Sequence, residues 1–71
     1  MIIINYIKPN IVVYADYLFS GVIEINDLRG NVILRKKVNQ SSLENIYFKL
    51  DEKVKVKVKT KNKVISKILN N

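Results

Sequence analysis

Lys53-Val54-Lys55-Val56-Lys57-Val58-Lys59 alternates charge and apolar bulk with a period of two. Successive side chains on a strand point to opposite faces, so Val54, Val56 and Val58 share a core face while the four lysines face outward. Wound as a helix, the same residues would scatter both classes around the cylinder. The segment is a strand, and Lys63–Leu69 returns beside it around Lys61-Asn62.

Upstream, short runs of similar character are separated by sparse turn signals. Met1–Ile7 is rich in β-branched residues and stops at Lys8-Pro9-Asn10, where proline fixes φ and asparagine tolerates turn geometry. Ile11–Tyr14 and Phe19–Asn26 read as further strands. Asp27-Leu28-Arg29-Gly30-Asn31 is a hairpin connection, Gly30 taking positive φ without a Cβ clash. Val32–Val38 and Ile46–Leu50 follow. Polar Asn39–Asn45 is expected to be a loop, with Ser41 and Glu44 in capping-box spacing around at most one helical turn. No segment keeps a 3.6-residue period for ten residues. The expectation is one all-β domain over residues 1–71, a small antiparallel β-sandwich or barrel of six or seven short strands.

The chain has 71 residues, no cysteine and no histidine. Disulfides are excluded, and most zinc, haem and iron–sulfur chemistry goes with them. A core this small is marginal without help, so a partner surface is the expected support. The first seven residues are apolar but lack a basic leader and sufficient length for a signal peptide. No apolar run approaches the roughly 20 residues of a membrane-crossing helix, so no membrane partner is expected. Residues 1–48 hold five Lys/Arg against four Asp/Glu, and residues 49–71 hold eight Lys against two. Nearly all of the +7 formal charge therefore sits in the last third, which calls for an acidic partner if any charged one. Heavy use of Lys, Ile and Asn fits AT-rich coding.

Lys53, Lys55, Lys57, Lys59, Lys61 and Lys63 form a candidate basic face. It reads either as a polyanion-binding surface or as a solvated face that discourages edge-to-edge aggregation. Single-strand binders interleave aromatics with cations so that bases stack. Here Tyr6, Tyr14, Tyr17, Phe19, Tyr47 and Phe48 lie elsewhere, as core and rim, so sequence-specific nucleic-acid recognition is not expected. Asp16, Glu24, Asp27, Glu44, Asp51 and Glu52 are the possible acid–base residues. They form no constellation with a nucleophile or metal ligand, so no enzyme, metal or cofactor is expected. Ile2, Ile3, Ile4, Tyr6 and Ile7 are the candidate interface, being too apolar for a bare edge strand. They are expected either to be buried within the domain or to pair with a neighbouring subunit.

From about Gly21 onward the chain resembles the C-terminal sorting domains of the type IX secretion system of Bacteroidota. The likeness lies in Val22-Ile23-Glu24-Ile25-Asn26-Asp27-Leu28-Arg29-Gly30-Asn31-Val32-Ile33-Leu34 and in the closing hairpin from Lys57 to Leu69. The resemblance implies an Ig-like β-sandwich. With Met1 opening the chain, the expected role is a structural module docking on a larger protein assembly or on copies of itself. Its concrete form is an auxiliary (decoration or cement) protein of a phage capsid, located in the virion. A secreted or cell-surface sorting domain and a polyanion-binding module are the alternatives.

Overall fold

The computed structural model describes residues 1–70 and is all-β, with five strands in one curled antiparallel sheet. They are β1 (Ile2–Ile7), β2 (Asn10–Asp27), β3 (Val32–Tyr47), β4 (Val54–Thr60) and β5 (Val64–Leu69). Five strands replace the expected six or seven because two pairs of short runs fuse. Ile11–Tyr14 and Phe19–Asn26 belong to β2, and Val32–Val38 continues through the expected loop to Ile46 and Tyr47 in β3, so the strand expected over Ile46–Leu50 ends at Tyr47. The helical turn at Ser41 is not formed. Its hydroxyl instead accepts from the Leu43 amide and donates to the Leu43 carbonyl.

Fusion is possible because the β2–β3 ribbon bends where its register slips. Between the pairs Tyr14↔Leu43 and Phe19↔Ser41, β2 spends four residues against one of β3. Between Phe19↔Ser41 and Gly21↔Val38, β3 spends two, Asn39 and Gln40, against Ser20. Gln40 takes φ 46°, and its amide donates to the Ser20 hydroxyl. Such bulges extrude residues, bend the strands and raise their twist.

β3 occupies one edge of β2 along its whole length. On the other edge β1 pairs with Asn10–Ala15 and β4 with Gly21–Asp27. The bent ribbon therefore carries β1 on one half and the β4–β5 hairpin on the other, and the two halves fold face to face. β1 and β5 meet at the seam, where the Lys67 ammonium donates to Asn5 Oδ1 at 3.0 Å.

Period two decides what lies between the halves. Ile2 and Ile4 from β1, Ile11, Val13, Ile23 and Ile25 from β2, and Val54, Val56 and Val58 from β4 are buried together. Burying each such side chain contributes about 1.5–3 kcal/mol before conformational entropy is counted. Leu50, beyond the end of β3, is also buried in this core, while the Phe48 amide donates to Pro9 O. Of the aromatics, Phe19 is core and Tyr6 and Phe48 pack against it, whereas Tyr14, Tyr17 and Tyr47 are exposed. At the β2–β3 turn, the Asp27 carboxylate accepts from the Arg29 and Asn31 amides, both at 2.9 Å, and Gly30 has φ +96°.

Candidate functional site

The outer surfaces of the two halves differ in chemistry. On the β4 half, cross-strand pairing sets three rows: Val64–Lys59–Val22–Lys37, Ser66–Lys57–Glu24–Arg35 and Ile68–Lys55–Asn26–Val32. Lys55, Lys57 and Lys59 stand along β4 while Arg35 and Lys37 stand along β3. β2 runs between them, carrying the short Val22 and Asn26 and the drawn-down Glu24. Two cation rows thus border a trough along β2, their strands about 10 Å apart (two strand spacings), with Cβ positions repeating every ~6.8 Å along β4.

Glu24 is the single carboxylate in this trough, and its side chain is 8% exposed. Lys59 Nζ lies 3.4 Å and Arg35 Nε 3.7 Å from the same oxygen, Oε2. Burial alone would raise its pKa. The hydrogen bond from Asn26, the Lys59 ammonium and the Arg35 charge outweigh that and hold the carboxyl below its ordinary range. Glu24 therefore stays ionised and draws two cations from opposite walls toward each other. Asn26 is buried beside it, and its Oδ1 has no hydrogen-bond partner among the described residues.

The alternation expected for β4 is observed, with Val54, Val56 and Val58 at 1% exposure or less. Of the six lysines proposed from the sequence, Lys55, Lys57 and Lys59 form one wall. Lys53 precedes β4, and Lys61 and Lys63 sit at the hairpin turn, Lys63 with its ammonium 5.9 Å from the Tyr17 ring centroid. The second wall, Arg35 and Lys37, was not singled out from the sequence. Their i, i+2 spacing puts them on one face of β3, but only the pairing with β2 brings that face beside the lysines.

The outer face of the β1 half carries no charged side chain in its own rows, and the Lys67 ammonium of β5 reaches its edge at Asn5. Its rows are Ile3–Tyr14–Leu43, Asn5–Val12–Asn45 and Ile7–Asn10–Tyr47. Ile7, Leu43 and Tyr47 are 60%, 59% and 73% exposed. The strand's two faces separate the candidate interface residues of β1: Ile2 and Ile4 enter the core, Tyr6 packs on it with its hydroxyl donating to Phe48 O, and Ile3 and Ile7 face outward. Tyr14, Leu43 and Tyr47 join them from β2 and β3.

Three of the remaining acids, Asp16, Asp27 and Glu44, have local engagements, and Asp51 and Glu52 in the β3–β4 connection have none among the described residues. Asp16 pairs with the N-terminal ammonium at 2.6 Å, and Glu44 with Lys36 at 2.8 Å. Lys36 and Glu44 lie on the core side of the two arms of β3, opposite Ile23 and Val13, and their ion pair spans the fold of the strand. Asp27 is held by the turn it organises.

No protein-family model, curated protein or solved structure matches this chain. Fold and surface together describe a small all-β module with one basic and one uncharged face.

Proposed function

We propose that the protein is a non-enzymatic structural module that docks on a larger protein assembly through the uncharged outer face of its β1 half. Auxiliary protein of a phage capsid is the concrete form of this reading. The observation that carries it is the nine-position face centred on Val12, which has no ionisable Lys, Arg, Asp or Glu although 27% of the chain is charged. Exposed aromatic and aliphatic side chains without charge are the composition of an interface core. Isoleucine, leucine and tyrosine supply apolar area, and Asn10 and Asn45 supply hydrogen-bonding groups that need no counter-charge, Asn5 being engaged by Lys67. The Ig-like sandwich implied by the sequence resemblance corresponds, in this reading, to the two halves of the curled sheet facing one another.

The test is co-sedimentation with purified capsids, or the equivalent large particles, of its source. Docking through an uncharged face predicts binding that survives molar salt. It also predicts loss of binding in Leu43→Lys/Tyr47→Lys and retention in Lys55→Ala/Lys57→Ala. A protein that stays in the supernatant as a stable monomer, or binding abolished by salt alone, overturns the proposal.

A further inference from the structure

We propose that the trough along the C-terminal half of β2 binds the phosphate backbone of single-stranded nucleic acid without regard to sequence. This goes beyond the docking role and rests on the opposite face of the molecule.

Charge is the first argument. Lys55, Lys57, Lys59, Arg35 and Lys37 against Glu24 give five positive charges and one negative, a net +4 of the chain's formal +7. Strand pairing fixes the two rows of Cβ positions, and Glu24 holds the Lys59 and Arg35 charges over β2 before a ligand arrives. A polyanion laid along β2 meets ammonium groups on one side and a guanidinium and an ammonium on the other. Repetition is the second argument. A strand presents every second side chain at a constant interval, which suits a ligand whose charges also repeat.

The trough also states what it does not read. None of the twelve positions in its three rows is aromatic. Bases therefore find nothing to stack on, and contact is confined to phosphate and sugar. Lys59 and Arg35, 3.4 and 3.7 Å from the same Glu24 oxygen, converge over β2 into one line of charge, which a single backbone can follow and the two of a duplex cannot share.

Glu24 gives the site an internal brake. With its carboxylate ionised, Lys59 and Arg35 are partly neutralised and drawn inward. Releasing them requires phosphate to compete for both. Removing the carboxylate charge should therefore strengthen binding, a gain that damage to the fold cannot imitate.

The experiment measures fluorescence anisotropy of a labelled oligothymidylate with the full chain as salt is raised from about 50 to about 200 mM, the range over which phosphate contacts weaken steeply. Engagement of four phosphates predicts a log–log slope near −3, from roughly 0.7 per neutralised phosphate. Lys55→Ala/Lys57→Ala should reduce affinity at least tenfold and flatten the slope by about 1.4, two contacts at that increment. Lys61→Ala/Lys63→Ala removes the same charge away from the trough and should leave the slope nearly unchanged. Glu24→Gln should bind several-fold tighter. Equal losses from the two double variants would show generic charge attraction and overturn the site. Tighter binding of duplex, or of poly-glutamate, would overturn the single-strand assignment in favour of a different polyanion. Weaker binding by a folded Glu24→Gln protein would remove the brake.

Discussion

Gly21 lies where the backbones of β2 and β4 approach most closely. A Cβ there would overlap the Lys59 carbonyl oxygen, which belongs to the backbone and cannot move aside by changing rotamer. Gly21 pairs with Thr60 on one side and Val38 on the other, so a shift would disturb both partners. Gly21→Ala should therefore cost about 3 kcal/mol, the upper end of the overpacking range, read as a lowered urea midpoint. A neutral effect would mean that β4 pairs less closely than described. Because Lys59 stands on the trough wall, the same substitution should weaken oligothymidylate binding even where the protein remains folded. Glycine alone in a β-run is a legible sign of a close approach, but which strand approaches is not in the local sequence.

At the scale of elements, the bent β2–β3 ribbon governs everything else. Its hinge combines extrusion of Asp16, Tyr17 and Leu18 on β2 with the bulge at Asn39-Gln40 on β3. Gln40 occupies the left-handed region at φ 46°, which costs an L-residue about 1–2 kcal/mol, while glycine pays only its own entropy. Gln40→Gly should thus stabilise the protein by up to about 1 kcal/mol, a rise of up to ~4–8 °C in Tm for a domain of this size by circular dichroism. The hydrogen bond to Ser20 uses the residue's backbone amide and is retained. A lower Tm would mean that the Gln40 side chain contributes something its contacts do not reveal. This hinge explains why a loop is expected over Asn39–Asn45. Polar residues with a capping-box spacing carry loop chemistry locally, yet Glu44 is recruited to Lys36 and Ile46 to the core by the opposite arm.

For the whole molecule, acid is the condition that should expose its electrostatic design. Asp16 is held low by the N-terminal ammonium, Asp27 by Asn31 and its turn amides, and Glu44 by Lys36 and Ser41. Glu24 is held low despite its burial, by Asn26, Lys59 and Arg35. All four have folded-state pKa values below the ordinary 3.8 of aspartate or 4.5 of glutamate. Below those values the unfolded chain binds more protons than the folded one. The stability from these groups is complete above them and is lost as pH falls through the depressed folded-state values. Protonation also removes the acids that offset thirteen basic residues, adding self-repulsion. The urea midpoint should fall steadily from about pH 5 to about pH 2, and Asp27→Asn should make the decline shallower. A flat profile would contradict the engagement of these carboxylates.

The sequence by itself determined the strand character of the chain, the inward set Val54, Val56 and Val58, the Asp27–Asn31 turn and the closing hairpin. Each follows from spacing or turn chemistry within a few residues. Only the tertiary structure decided that four expected strands are two, because a bulge continues a strand that local polarity alone would end. It also decided that Arg35 and Lys37 face the β4 lysines and that Tyr14, Leu43 and Tyr47 join Ile3 and Ile7. Alternation assigns a side chain to a face, but register and neighbour come from long-range pairing, and a binding surface is made by neighbours.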